Sequence, residues 1–481
     1  MIFLYLALAW LMGFGLLRWL FPAPFRWSLH TALLLSISTG VGIGIASSLY
    51  FLTLALAGPK ILVLALVQGV ALAAALALCF LPKRKSTPLL DWAPGPSTAW
   101  YFTAALCVAL ASAVTIYIFC TFSKPHGDWD AWAIWNLRAR FLVRGGEFWR
   151  DAFSNQIAWS HPDYPLLVPG IIALIWTLAQ SESILVPAAV GFLFVFSLAG
   201  VFVATLGILR GKLQSFIGGI VLLCSVSLIV TAANQYADAP LSFFVLATLG
   251  LLCLQERYPE DLRFTILAGL TAGFAAWTKN EGELLLVALI VARAWAIVRY
   301  GNRATLVPQF IKLALGLAAP LAIIVFFKLK FAPANDLLSH KPGQIASHLT
   351  DLGRWITVLE AYVVQPFRIG TFRIGSILAP IILLLGLYWY FLRFKVDSRD
   401  RASLATILCT LAITLAGEFL IYVALPGDAD WQLSTSFERL LLHLWPAGLL
   451  AFFLAVNTPQ LEKPMKPKQA KKAMKPAAKS A

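Results

Sequence analysis

Apolar residues recur along the chain in long blocks that are separated by short polar segments. Most blocks are long enough to cross the roughly 30 Å hydrocarbon layer of a bilayer as α-helices. The alternation of apolar and polar residues that is typical of barrel strands is absent from the sequence. The pattern therefore predicts an all-α polytopic membrane protein with about thirteen transmembrane helices, near residues 2–20, 28–57, 60–81, 98–122, 184–209, 213–233, 237–254, 263–277, 283–298, 309–331, 375–393, 402–424 and 438–457.

A further apolar block at 164–179 is short and contains two prolines. Its length suits either a span or a half-helix. With the C-terminal tail placed in the cytoplasm, the basic loops 393–401, 293–312, 210–212 and 83–85 all lie inside only if this block does not cross. The charges therefore predict a non-spanning juxtamembrane helix at 164–179, and an N-terminus on the outer side.

Composition supports a membrane location. Of the 481 residues, 60% are hydrophobic and 13% are charged, and the mean hydropathy is +0.79. Soluble domains carry about 25% charged residues. The net charge of +15 comes from short basic loops and from a tail with seven lysines in 463–481. We expect these charges to set topology, or the tail to touch anionic lipid, and we expect no nucleic-acid partner.

The remaining composition defines the predicted organisation. The six cysteines lie in or beside apolar blocks and predict neither a disulfide framework nor a metal site. The first twenty residues lack a basic start and predict an uncleaved span rather than a signal peptide. The predicted units are a three-helix extension (1–97), a catalytic-type module (98–331, with outer loop 123–183), a loop with C-terminal helices (332–457), and a disordered basic tail (458–481). The outer segments are 123–183, 234–238, 277–282, 332–374 and 426–437.

The first outer segment carries two aspartates at the start of a predicted interfacial helix. Trp132 and Trp135 recur at helical spacing, as expected for tryptophans at headgroup depth. Asp128 suits a helix N-cap, and Asp130 suits the first turn, where the helix dipole favours a carboxylate. Capping explains one aspartate better than two, so capping and catalysis by Asp130 or Asp128 are competing interpretations. Arg138, on another side of this helix, is a candidate substrate contact.

Two further outer clusters place a carboxylate beside proline. HisProAspTyrPro opens the short helix, where His161 and Asp163 either line a polar pocket or belong to a rigid turn. AsnGlnTyrAlaAspAlaPro lies at the junction of two spans. Asp238 there is costly unless it is paired or functional, or is an N-cap ahead of Pro240. Tyr236, in the same turn, joins the candidate substrate contacts.

A fourth cluster, TrpThrLysAsnGluGlyGlu, forms a tight turn between two spans on the same face. Lys279 is a compact cation suited to a phosphate at headgroup depth. A structural pair of Lys279 with Glu281 or Glu283 is an alternative that is compatible with phosphate binding, and Glu281 is also a candidate substrate contact. These clusters suit a lipid-phosphate substrate, with a carboxylate as general base on an acceptor hydroxyl and a cation at the leaving phosphate.

These segments resemble the GT-C superfamily of membrane glycosyltransferases, above all bacterial family-39-type enzymes such as protein O-mannosyltransferases and the aminoarabinose transferase acting on lipid A. The motifs that carry the resemblance are AspTrpAspAlaTrpAlaIleTrp, HisProAspTyrProLeuLeu, TyrAlaAspAlaProLeu and TrpThrLysAsnGluGly, within roughly 98–331. The resemblance implies an active site on the periplasmic face of a bacterial inner membrane, a polyprenyl-phosphate sugar donor and inversion at the anomeric carbon.

The resemblance gives Asp130 the role of base, Asp238 a role in shaping the acceptor or donor site, and Lys279 a contact with the lipid phosphate. The implied acceptor is a periplasmic lipid, glycan or protein. The chain departs from the family pattern because three spans precede the span before the catalytic-type loop, and because this loop offers Asp128 as well. No cofactor is expected, and a divalent metal is left open because metal dependence varies across the superfamily.

A transporter or flippase of a lipid-linked or anionic substrate is the main alternative. No repeat relates the two halves of the chain, and the candidate residues lie at the outer boundary rather than at mid-membrane. A structural scaffold leaves the gathered charges unexplained, whereas a glycan polymerase or ligase is a near neighbour of the transferase hypothesis. Segment 332–374 bears on that choice because it is rich in basic residues and predicts an interfacial helix near 346–365.

Overall fold

The structure is a computed structural model that describes residues 2–22, 28–81, 91–94, 98–335, 342–369, 372–374 and 377–459. This part of the chain is helical apart from an antiparallel hairpin of β1 (Phe372–Ile374) and β2 (Ile377–Ala379) and one isolated bridge. The predicted all-helical class is confirmed. The predicted basic loop 83–85, and the tail from residue 460 onward, lie outside the described residues.

The α-helices are α1 (Ile2–Leu20), α2 (Leu29–Ala57), α3 (Ile61–Leu78), α4 (Trp100–Ser123), α5 (Asn136–Arg144), α6 (Leu167–Ala179), α7 (Leu185–Arg210), α8 (Lys212–Leu223), α9 (Val226–Ala233), α10 (Asp238–Arg257), α11 (Arg263–Thr278), α12 (Asn280–Tyr300), α13 (Leu306–Lys330), α14 (Pro342–Thr350), α15 (Leu352–Val364), α16 (Ile381–Leu392), α17 (Arg401–Ala424), α18 (Ala429–Gln432) and α19 (Glu438–Ala455). Short π-helical turns at Ala131–Trp135 and Leu433–Phe437 lead into α5 and α19, and 3₁₀ turns occupy Gly146–Phe153, Asn155–Ser160, Arg303–Thr305, Gln365–Phe367 and Ser398–Asp400.

Many of these helices suit a bilayer. Within the described ranges, nine helices are long and apolar enough to cross a membrane, or ten if α8 and α9, bent by 56°, form one broken span. Large apolar side chains such as Leu66, Val291 and Leu315 are exposed on α3, α12 and α13, as lipid-facing residues are. α11 and α12 are not among the nine, and α16 has only 12 residues. The protein is therefore a multi-pass membrane protein, and the count of thirteen spans stays a prediction.

The described parts of the predicted outer segments lie at one end of the bundle, which we call the loop end. Contacts between residues at or next to the helix termini show that α4, α9, α11, α13 and α17 end there and that α10, α12 and α19 begin there. At the opposite end Arg210 lies 3.6 Å from Asp400, and Arg293 binds Glu256 and Gln309. Of the basic loops that predicted a common side, 393–401, 293–312 and 210–212 thus lie together at this end.

The predicted non-spanning block is the 13-residue helix α6, and it is buried within the bundle. Ser47 of α2 donates a hydrogen bond to the Leu166 carbonyl at 3.0 Å, and a Cβ at Gly170 would lie 2.4 Å from the Ser47 hydroxyl. The N-terminal helices also contact this region through Tyr5, which donates to the Leu178 carbonyl. The start of α1 therefore lies at the loop end.

The predicted helix near 346–365 is found as α14 and α15, divided at Asp351, which caps α15. Arg354 in α15 is buried, and its guanidinium donates to the carbonyls of Tyr422 and Gly427, where α17 ends. This arginine therefore docks α15 on the bundle. It is therefore neither solvated nor open to an anion.

Candidate functional site

Lys279 is the single residue between α11 and α12, with extended backbone angles. The turn is tight enough that a Cβ at Gly282 would lie 2.1 Å from the Ala275 carbonyl oxygen, so glycine is required there. The Lys279 ammonium lies 3.3 Å from Asp238 Oδ1 and 2.9 Å from Glu281 Oε1. The structural pair with Glu281 considered above is present, together with a contact to the distant Asp238.

Asp238 is the first residue of α10 and is fully buried. The N-cap of this helix is Ala237, so the capping interpretation of Asp238 is wrong. Its carboxylate instead faces Lys279 and His443, whose Nε2 lies 2.5 Å from Oδ1. The charge of this carboxylate is therefore balanced by side chains from other helices, as a carboxylate inside a membrane protein requires.

Arg439, in the first turn of α19, joins two of the predicted aspartates. Its guanidinium donates to Asp130 Oδ2 and lies 3.9 Å from Asp238 Oδ2. It also stacks over the ring of Tyr236, with Cζ 4.9 Å from the ring centroid. Burial and the nearby Asp130 carboxylate raise the pKa of Tyr236 to about 12, so its phenol keeps its proton. We call Asp130, Asp238, Lys279 and Arg439 the charged centre.

The two candidate bases have different surroundings. Asp128 is 36% exposed, pairs with Lys124 and accepts a hydrogen bond from the Trp129 amide, while its carbonyl begins the π-helical turn. The hydrogen bond from Lys124 holds the pKa of Asp128 below its usual range. Asp130 is 14% exposed and belongs to the charged centre. Asp128 thus lies at the start of the helical segment, whereas Asp130 lies near Asp238, with Arg439 between them.

The loop that carries these aspartates is fastened to the turn between α9 and α10. Gly127 has a left-handed backbone (φ +76°), and a Cβ there would lie 2.6 Å from the Asn234 carbonyl oxygen. The Asp128 amide donates to that carbonyl at 3.2 Å. Gln235 accepts a hydrogen bond from the Asn136 amide group at 2.8 Å. These contacts fix Asp130 relative to Asp238.

Arg138 is buried beneath the HisProAspTyrPro turn. Its guanidinium donates to the carbonyls of Ser160 and Tyr164, each at 2.9 Å, and to that of His161. An arginine placed in this way shapes the turn from inside, because it satisfies three backbone acceptors at once. The geometry accounts for Arg138 as a support of the turn, and its direct contact with a substrate stays a prediction.

His161 and Asp163 lie beside the charged centre rather than in it. His161 has a left-handed backbone (φ 50°) and stacks on Tyr164 with ring centroids 5.0 Å apart. The Asp163 carboxylate accepts a hydrogen bond from the Asn280 amide at 2.6 Å. Lys328 donates to the side-chain oxygen (Oδ1) of Asn280 at 2.7 Å. Asp163 is therefore linked to the neighbourhood of Lys279 through Asn280, the next residue along the chain.

Sequence reasoning missed Arg439, His443 and Glu418. All three lie within or at the edge of apolar blocks that predicted simple spans. An ionisable residue inside a span was the available signal, since such residues usually face the bundle interior and have a partner or a function. In the part of the chain that the structure describes, no three His, Cys, Asp or Glu side chains are grouped so as to hold a metal ion.

No family model matches the chain, and no curated protein or solved structure matches it. The resemblance to the GT-C superfamily therefore remains a prediction from four motifs. Function has to be argued from the fold and the charged centre, which define a multi-pass membrane protein with a buried group of opposite charges at one end of its bundle.

Proposed function

We propose that this protein is a membrane glycosyltransferase that moves a sugar from a polyprenyl-phosphate donor to an acceptor hydroxyl. In this proposal the chain crosses a bacterial inner membrane thirteen times, the loop end faces the periplasm, and the tail is cytoplasmic. The observation that carries the proposal is the charged centre, in which four distant segments bring two carboxylates and two cations together. These are the groups that the transfer needs, namely a base for a hydroxyl and cations for a departing phosphate.

Asp130 is the proposed base. It accepts the proton of the acceptor hydroxyl while that oxygen forms a bond to the anomeric carbon of the sugar. The bond between the anomeric carbon and the phosphate oxygen breaks, its electron pair stays on the phosphate, and polyprenyl phosphate departs. Attack from the face opposite the phosphate inverts the anomeric configuration. The partial exposure of Asp130 supports this role, because a base has to reach its substrate.

Arg439 links donor binding to the activation of the base. In the structure it holds Asp130 in an ion pair, so that one oxygen of the carboxylate is occupied by the guanidinium. A donor phosphate is an anion that competes for the same guanidinium, since arginine binds phosphate and carboxylate with similar fork geometry. Donor binding would move Arg439 to the phosphate and free Asp130 to accept a proton.

Asp238 is a positioning residue in this mechanism. It is fully buried, so it does not reach an acceptor hydroxyl, but it lies between the side chains of Lys279 and Arg439. Its negative charge holds the two cations close together before the phosphate arrives. The neighbouring residues His161, Asp163, Tyr236 and Glu281 then line the region in which the sugar or the acceptor, a periplasmic lipid, glycan or protein, would lie.

One observation favours the transporter alternative. α8 and α9 are bent by 56° where they meet, and Ser225 at this break accepts a hydrogen bond from the Trp445 indole at 2.8 Å. Broken helices are frequent in transporters. A transporter needs two compartments, whereas a transferase works in detergent, so activity in detergent separates the two proposals.

The test is an assay of purified protein in detergent with radiolabelled polyprenyl-phosphate sugars, in which transfer or release of the sugar is measured. We expect activity in the wild type and a loss of about 10²-fold to 10⁴-fold in Asp130→Asn, because the general base is removed. Asp128→Asn is the matched control and should stay active. Wild-type activity in Asp130→Asn, or no reaction with any such donor, would overturn the proposal.

A further inference from the structure

A small cavity lies next to the charged centre, between α10, α12, α17 and α19. Its volume is about 10 Å³, enough for about one water molecule. Three of its lining side chains are ionisable, namely Glu281, Glu418 and His443. The other lining residues are Leu241, Val245, Leu285, Thr414, Leu440 and Leu444.

Glu418 is the unusual member of this group. It is 4% exposed and lies inside the apolar helix α17. Its Oε1 atom, and Oε2 of Glu281, are buried without a hydrogen-bond partner among the described residues. Two carboxyl groups with open acceptor atoms thus line one water-sized space. A buried carboxylate without a partner is unfavourable, and such a group takes up a proton instead.

The surroundings decide which of the two carboxyl groups carries the proton. Lys279 lies 2.9 Å from Glu281 and 3.3 Å from Asp238, so its charge is already shared by two carboxylates. His443, on α19, is engaged with Asp238. Glu281 and Lys279 both act on Glu418, and the charge of Glu418 in turn acts on the phenols of Tyr362 on α15 and Tyr422 on its own helix. Lys279 forms its ion pairs with Glu281 and Asp238 and none with Glu418, so Glu418 is the group that takes the proton.

We propose that Glu418 is a proton-binding residue that is uncharged at neutral pH and donates a hydrogen bond, through one water in this cavity, to the open oxygen of Glu281. The Glu281 carboxylate is then fixed from two sides, by Lys279 and by the water. Its position in turn fixes Lys279. The proton site itself stands independently, whereas its effect on transfer rests on the proposed function of Lys279 at the donor phosphate.

The first test is infrared spectroscopy of the purified full-length protein at neutral pH. A buried protonated carboxyl group has its own C=O band, which we expect in the wild type and in Glu360→Gln, a control at an exposed glutamate. The band should disappear in Glu418→Gln. Identical carboxyl bands in wild type and Glu418→Gln would overturn the proposal, whether or not the protein is a transferase.

The second test compares transfer at several pH values. In the wild type, alkaline pH should remove the proton of Glu418 and raise the KM for the donor. Glutamine resembles the protonated form of glutamate, so Glu418→Gln should have the wild-type donor KM at neutral pH. In this variant the donor KM should not rise at alkaline pH. Glu418→Ala should raise the donor KM at every pH, provided that it elutes as a folded protein on size exclusion. A donor KM in Glu418→Gln that equals that of Glu418→Ala, or that follows the wild-type pH dependence, would contradict the proposal. Absence of transfer in the wild type would refute the proposed function only.

Discussion

Arg439 binds Asp130, a residue 309 positions earlier in the chain, and the same guanidinium lies 3.9 Å from Asp238. One side chain from the last described long helix thus ties the first large loop to the start of α10. Because an arginine can exchange one oxyanion for another, this contact makes the charged centre responsive to an incoming phosphate.

Substitution of Arg439 should therefore impair donor binding and turnover together. We expect Arg439→Gln to lower kcat/KM by about 10²-fold, the loss typical when one donor to a developing anion is removed. Arg439→Lys should lose less activity, because lysine keeps the positive charge but lacks the two parallel N–H donors of a guanidinium. Arg144→Gln is the control, since Arg144 is an exposed arginine that pairs with Glu182 at the same end. Equal activity of Arg439→Gln and Arg144→Gln would remove Arg439 from the mechanism.

The pair of Lys124 and Asp128 should affect stability weakly and only above acidic pH. The folded-state pKa of Asp128 is lowered, so its contribution is present above the unfolded value of about 3.9 and is lost as the pH falls through the folded value. Since the pair is exposed, we expect it to contribute about 0.5 kcal/mol to the free energy of unfolding at neutral pH. Thermal unfolding of Asp128→Asn at neutral and acidic pH measures this contribution. A large loss of stability in the variant at neutral pH would show that Asp128 does more than begin a helix.

Arg138 should be a stability residue. Arg138→Gln leaves the carbonyls of Ser160, His161 and Tyr164 without this donor, and we expect the free energy of unfolding to fall by about 2 to 4 kcal/mol. The matched control is Arg140→Gln, because Arg140 lies two positions along the same helix and is partly exposed. This variant should lower the free energy of unfolding by less than about 1 kcal/mol. Thermal unfolding in detergent compares the two. If Arg138→Gln unfolds like the wild type but has a raised substrate KM, the predicted substrate contact is correct and the support role is wrong.

The members of the charged centre that lie in loops or at helix ends could be predicted from the sequence. Asp130, Asp238 and Lys279 were chosen because charged residues at the ends of apolar blocks need an explanation, and the structure places them together. The length and prolines of the short block 164–179 left both a span and a half-helix open, and the charges of the neighbouring loops favoured a helix that does not cross, which stays a prediction. Periodicity and charge are local properties, and a single sequence reveals them directly.

Partners that come from a distant helix could not be predicted from the sequence. Glu418 and His443 each interrupt a long apolar block, and hydropathy averaged over such a block hides one polar residue. Arg138 was named as a candidate substrate contact, and its hydrogen bonds to the turn were not foreseen, because helical spacing alone does not show which backbone carbonyls a side chain meets. The division of block 213–233 into α8 and α9 was missed as well, since no proline or charged residue interrupts the block.

The turn that holds Lys279 should be intolerant of a larger residue. In Gly282→Ala the new Cβ would lie 2.1 Å from the Ala275 carbonyl oxygen, so α11 and α12 must separate and Lys279 must move. We expect loss of transfer and a lower unfolding temperature. Gly69→Ala, in α3, has open space around the new Cβ and should match or slightly exceed wild-type stability. Normal transfer by Gly282→Ala would show that the position of Lys279 is not critical.

The contact between Lys279 and Asp238 allows structure and function to be separated. Breaking a buried ion pair by removing one partner typically costs about 3 to 5 kcal/mol, whereas removal of both charges is often close to neutral. Lys279→Gln alone should therefore destabilise the protein, because Glu281 and Asp238 lose a shared cation. The double variant Asp238→Asn with Lys279→Gln should recover most of the unfolding temperature. If Lys279 binds the donor phosphate, this stabilised double variant should still fail to transfer sugar, and its donor affinity should be low. Recovery of transfer together with stability would mean that Lys279 serves the fold alone, and the cation at the leaving phosphate would then have to be Arg439.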